Sequence, residues 1–151
     1  MPKNPTGELV AVAYGKAVLA RAGLAAPVST TLAAVASWQA TGALQVTGIV
    51  GGVVRDNDLR DMVVSYDSWA ARPGSDKPPW GQANELVELV RLSAFWDWTD
   101  ALELDLEPAG VYLPVRVQGA RPVTPEPRRI PDQDASRAHY SLDFALMWTV
   151  R

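Results

Sequence analysis

The chain predicts an α+β fold, a mostly antiparallel sheet of about four or five strands with two main helices packed on one face. Three observations carry this expectation. Tyr140, Leu142, Phe144, Leu146, Trp148 and Val150 alternate with Ser141, Asp143, Ala145, Met147, Thr149 and Arg151, which is the period of a strand with one buried face. Strand-like stretches occur in pairs, with no alternating strand–helix–strand run. Two helical stretches, 6–23 and 80–94, precede those pairs.

The first helix is expected over 6–23. Thr6 suits the cap, Glu8 suits the positive end of the helix dipole, and Gly23 suits the stop. Val10, Tyr14 and Val18 recur every four residues and share a face. The remaining positions are largely alanine, which favours helix but supplies little core. Such a thin stripe packs closely against a sheet or against another subunit. Residues 27–42 stay open between an extended segment at Val28–Leu32 and a short helix at Leu32–Trp38.

Residues 43–50 read as a strand closed by Gly51 and Gly52, and 61–69 as its partner. Met62, Val64 and Tyr66 share one face of the second strand, with Val63 and Trp69 on the other. The connection Arg55–Arg60 is rich in turn formers, so an antiparallel pair is expected. Pro73–Pro79 breaks the pattern. Over 80–94, Ala83, Leu86, Val87, Val90 and Ala94 form one helical stripe, away from Gln82, Glu85, Glu88 and Arg91.

The stretch 95–107 is acidic and aromatic. Leu102, Leu104 and Leu106 alternate with Glu103, Asp105 and Glu107, which suits a partly wet edge strand whose acids discourage unwanted pairing. Residues 111–118 form a further strand candidate. Pro114 cannot donate to a ladder, which places this strand at an edge or at a bulge. Residues 119–135 carry four prolines, three arginines and few apolar side chains, and read as a long Pro/Arg-rich loop. The last strand then follows as a structural member of the sheet, since terminal residues stay ordered only when tied down. The whole chain, 1–151, is expected to be a single domain.

Bulk properties exclude several function classes. A net charge of −3 argues against a general nucleic-acid binder, which shows a basic excess. The absence of cysteine removes disulfide and thiolate chemistry and fits an intracellular origin. The first residues, Met1–Gly7, lack the apolar core of a signal peptide, and no apolar run approaches the roughly 18 residues that span a membrane.

Chemistry-bearing motifs are scarce. His139 is the only histidine, and no Gly-x-Ser-x-Gly elbow accompanies it, so it reads as a turn or surface residue. Asp56-Asn57-Asp58 opens like a calcium loop, but Arg60 takes the next ligand position and the glycine and the final glutamate are missing, so it reads as a turn. The acids of 97–107 are candidates for paired-carboxylate glycoside chemistry, but their alternation with leucine favours an edge strand or interface. Gly51-Gly52 is no nucleotide loop. Trp96 and Trp98, two apart, either pack in a core, stack on a sugar or anchor a partner. No catalytic, cofactor or metal residues are assigned, and no enzyme activity or cofactor is expected. Candidate interface residues are Trp96, Asp97 and Trp98 in the acidic stretch, and Arg121, Arg128 and Arg129 in the Pro/Arg-rich loop.

Several segments together resemble the tail terminator proteins of long-tailed bacteriophages, particularly those infecting actinobacteria. They are Val28–Leu32 (an extended segment), Leu44–Gly52 (a strand closed by a glycine pair) and Met62–Ala70 (a strand ending in tryptophan). Further along are Ala83–Arg91, of the form Ala-x-x-Leu-x-x-x-Val-Arg, and Arg137–Phe144, the start of the last strand. The resemblance covers roughly 28–151, and the order and spacing of the segments give it its specificity. Two departures stand out. A proline common near Leu32-Ala33 is absent, and 95–107 looks like extra material, onto which no family role carries over.

The resemblance implies a non-enzymatic virion protein at the head–tail junction, assembled in the host cytoplasm. It implies a homo-oligomeric ring, usually of six copies, that caps the tail tube, stops its polymerisation and docks the head-side connector protein. The expected partners are therefore other copies of the chain, the tail tube protein and the connector. Genome DNA would pass the lumen without sequence-specific binding, and no membrane is involved. Three rival readings remain at this point: a head-closure or tail-completion connector, a carbohydrate-binding module using exposed tryptophans, and a hydrolase using the acidic run 97–107.

Overall fold

The computed structural model describes residues 1–54, 59–97 and 102–150. The expected turn at Asp56-Asn57-Asp58, the candidate residue Trp98 and the terminal Arg151 lie outside the described residues.

Helix α1 spans Gly7–Arg21. Thr6 caps it by accepting the Leu9 N–H, and Gly23 follows its end at a φ of 75°. Val10, Tyr14 and Val18 are fully buried, as their spacing requires. Gly15 lets the helix approach the sheet closely, because a Cβ there would stand 2.9 Å from Val28 Cγ1. Strand β1, Val28–Ser29, lies parallel to β2, Ala43–Val54. β2 and β3, Arg60–Ala71, form the expected antiparallel pair. Helix α2 spans Trp80–Ser93 and buries Ala83, Leu86, Val87 and Val90.

Four more strands follow: β4 (Leu102–Leu104), β5 (Val115–Pro122), β6 (Arg128–Arg129) and β7 (Arg137–Val150). The sheet order is β1-β2-β3-β7-β5-β4, with β6 also paired to β7. The α+β class therefore holds, but the sheet is larger than expected, with seven strands, and it is mixed because β1 runs parallel to β2. The extra strands, β1 and β6, are two residues long, too short for a period-two pattern to reveal them.

Two expected boundaries move. The strand placed at 111–118 begins at Val115, directly after Pro114, which has no N–H to give a ladder. A bulge follows between Val117 and Gly119. The stretch 119–135 is not a continuous loop. β5 runs through Pro122, and β6 rejoins β7 at Ser141 and Tyr140. Main-chain pairing orders this stretch, which has few apolar side chains. Val123 N–H donates to Asp143 O at 2.8 Å, and Ile130 N–H donates to His139 O at 2.8 Å.

β7 lies at the centre, paired with β3 along its length and with β5 and β6 on its other side. Leu142, Phe144, Leu146 and Trp148 are buried with Met62, Val64, Tyr66, Leu44 and Val46 on the face that both helices cover. On the opposite face, one end carries a second apolar cluster. There Trp38, beside a 3-10 turn at Val35–Ser37, packs on Ala43, Ala71 and the flank of Trp69. This is the role of the segment that the sequence leaves open.

Candidate interface surfaces

Strand alternation carries the odd-numbered residues of β3 and β7 to the face away from the helices. Next to the Trp38 cluster, this face holds a polar row. Asp67, 8% exposed, accepts from the Ser141 hydroxyl at 2.9 Å, and the Thr47 hydroxyl lies 3.2 Å from the same oxygen. His139 Nε2 lies 2.6 Å from the other carboxylate oxygen. The Trp69 ring stacks on His139 with centroids 3.7 Å apart, and its indole N–H donates to Gln45. His139 is therefore not the surface residue its sequence position implies. It faces a buried carboxylate, and two aromatic or polar neighbours hold it in place. The Ser141 hydroxyl donates to Asp67 and not to His139.

Beyond that row the face mixes Val63, Ala145 and Met147 with Asp61, Ser65 and Asp143. The strand register aligns Val50, Val63, Ala145 and Arg121 in one line across four strands. Val50 is 74% exposed and Arg121 is exposed. On one side of this line stand Gly48, Ser65 and Asp143, and on the other Met147 and Gly119. The Met147 side chain lies across Gly119, where a Cβ would stand 2.8 Å from its methyl. Gly48 is exposed, with no side chain over its main chain, whereas Gly119 lies under Met147. Asp143 accepts from Ser65 at 2.8 Å and pairs with Arg128 at 3.4 Å.

The helix layer presents a different surface. After α2, Phe95 projects with 71% of its area exposed, beside exposed Leu92. Trp96 is half-buried under the Arg21 guanidinium, 5.0 Å from its ring centre, and Arg21 also donates to the Asp97 carbonyl. Trp96 and Asp97 border a groove of about 460 Å³ whose deepest polar groups are Tyr14 and Ser93. Ser93 donates to Val90 O, so the Tyr14 hydroxyl donates to Ser93, at 2.6 Å. Burial pushes the Tyr14 hydroxyl up to about 12, against a smaller opposing effect of that hydrogen bond. Burial likewise pushes Tyr66 well above its ordinary value, and the nearby Tyr14 adds to this.

Arg129 lies on the helix side of β6, 4.2 Å above the Trp80 ring and bonded to the Tyr140 hydroxyl. The six candidate interface residues thus do not form one site. Trp96, Asp97 and Arg129 belong to the helix side, and Arg121 and Arg128 to the opposite face. Trp98 lies outside the described residues. The expected wet edge holds: Leu104 and Leu106 are buried while Glu103, Asp105 and Glu107 face solvent, and Glu103 pairs with Arg116 at 3.0 Å. Among the described residues, no three histidine or acidic side chains converge as a metal site requires, and no helix is long and apolar enough to cross a membrane.

Sequence reasoning passed over Asp67, Val50 and Phe95. A signal existed for the first: Ser65, Asp67, Ser141 and Asp143 all occupy the non-apolar phase of their strands. Compared with known proteins, the chain matches no family model and no curated protein.

Proposed function

We propose that this chain is the subunit of a closed ring of six copies. The ring caps the completed tail tube of a long-tailed bacteriophage, ends tube polymerisation and joins the tail to the head-side connector. The reading starts from the ordered set of segments that resemble tail terminator proteins. A structural observation that adds to it is Val50 of β2, 74% exposed on the sheet face away from the helices, beside half-buried Val63 and Met147. Cyclic assembly needs two different patches on each subunit, and the ring closes when the rotation between copies does.

In this role the protein works by shape and charge and without turnover. Its partners are its own copies, the tail tube protein and the connector protein, with DNA passing through the lumen. Its place is the head–tail junction of the virion. The tryptophans lend little to a sugar-binding reading. Of the five described, Trp38 and Trp148 are buried, Trp69 stacks on His139, and Trp80 and Trp96 lie under arginines.

The test is a polymerisation assay with the cognate tube protein. Purified chain added during tube growth shortens the tubes and decorates one end only. Tubes of unchanged length with bare ends would overturn the reading.

A further inference from the structure

Residues 123–131 run along the edge of β7 that faces away from β3, and none of them is buried. Main-chain bonds hold them there. Val123 and Thr124 donate to Asp143 O at 2.8 and 3.2 Å, Ile130 donates to His139 O at 2.8 Å, and Arg128 stands opposite Ser141. The Asp143 N–H donates in turn to the Thr124 hydroxyl at 3.0 Å. Pro125, Pro127 and Pro131 have no N–H to add. Two adjacent arginines then grip β7 from its two faces. Arg128 pairs with Asp143 on the face away from the helices, at 3.4 Å and with its side chain 57% exposed. Arg129 lies 4.2 Å above the Trp80 ring of α2 and donates to the Tyr140 hydroxyl at 3.4 Å.

We infer that residues 123–131 form a strap, clipped over the edge of β7 by Arg128 and Arg129, that opens as a unit while the core stays folded. A segment opens locally where few apolar contacts hold it. An exposed ion pair adds little to that hold, and a cation–π contact at a partly exposed ring adds modestly. Opening also orphans no buried side chain. Asp143 keeps the Ser65 hydroxyl at 2.8 Å, Tyr140 keeps its edge-on contact with Trp80, and Asp67 keeps His139 and Ser141. Arg91 of α2 keeps Glu88 at 2.7 Å when the nearby charge of Glu126 departs. Ala138, Leu142 and Phe144 of β7 pack into apolar clusters that contain no residue of the strap. Along β7, His139, Ser141 and Asp143 turn their main-chain groups to the strap, while Tyr140 and Leu142 turn theirs to β3. The open state therefore bares alternate main-chain groups of a central strand, the kind of edge on which an added strand pairs. The strap is thus a gate over that edge, and it stands whether or not the ring reading does.

Native-state hydrogen exchange of the full chain, read residue by residue, tests the strap. The amides of Val123, Thr124 and Ile130 are expected to exchange at least about 100-fold faster than the Leu142 amide, which faces β3. Their rates should not respond to dilute urea, because a local opening exposes little surface, whereas the Leu142 rate should climb with it. Arg128→Ala and Arg129→Ala should each speed the three strap amides by a common factor of about 2–5. Lys16→Ala, at an exposed position on α1, should speed none of them. Strap amides that exchange at the Leu142 rate and with its urea dependence would overturn the inference, since the segment would then open only with the whole fold. Unequal changes among the three amides in the arginine variants, or no change at all, would also overturn it, because the segment would not move as one or the arginines would not hold it.

Discussion

His139 and Asp67, 72 residues apart in the chain, meet diagonally across β3 and β7 with Nε2 and Oδ2 separated by 2.6 Å. His139 stands directly opposite Trp69, and Asp67 directly opposite Ser141. The contact thus ties one stacked row to one hydrogen-bonded row on the face away from the helices. His139→Ala removes both the stack and one partner of a buried carboxylate. The expected cost is about 1–3 kcal/mol, the range for a buried polar group that loses a partner. Urea unfolding measures it, and a loss within about 0.5 kcal/mol would mean that the pair behaves as an ordinary surface contact.

Phe144 sits at the middle of β7, fully buried between Tyr14 and Tyr66, with ring centres 5.6 and 6.2 Å away. Phe144→Ala should destabilise the fold by about 3–5 kcal/mol. A cooperative melt at the unaltered temperature would contradict the central position of this strand in the core.

Gly15 is the point of closest approach between α1 and the sheet. A valine there meets Val28 and Leu44 at distances that neither can yield without repacking. Gly15→Val is expected to cost about 1–3 kcal/mol from overpacking. Stability equal to the parent in denaturant unfolding would show that α1 sits further from β1 and β2.

Tyr14 supplies a pH dependence. Its hydroxyl is held up to about 12 in the folded chain, against 10.0 as its ordinary value. Between these values the unfolded chain releases a proton that the folded chain keeps, so stability declines as pH rises. The contribution is fully present below pH 10 and is lost as pH climbs through 12. Tyr14→Phe should flatten the fall of stability with pH across that window. An identical slope in both proteins would place the Tyr14 hydroxyl in water.

Much of this fold was legible because local chemistry and tertiary packing agree. Thr6 and Gly23 mark the ends of α1, the Ala83–Val90 stripe fixes the buried face of α2, and the alternation in β3 and β7 names the core residues. The alternation of Leu104 and Leu106 with acids also told which side of that edge stays wet. The failures have a common cause. β1 and β6 are held by main-chain bonds to longer strands, which leave no mark in side-chain periodicity. Residues 123–130 follow β7 for the same reason, despite their prolines. The candidate interface residues were grouped by composition, whereas strand register sorts them: Arg121 opposite Ala145 and Arg128 opposite Ser141 reach the face away from the helices, while Arg129 opposite Tyr140 reaches the helices. Asp67 and His139 are brought together by a strand order that no local stretch encodes.

Tail length in a phage that lacks the gene tests the central claim most directly. Electron micrographs of the deletion should show overlong tails of irregular length, unattached to heads, with normal length and attachment restored by the protein supplied in trans. Tails of normal length joined to heads would contradict the terminator role, and normal-length tails lying free would assign the protein to head closure instead.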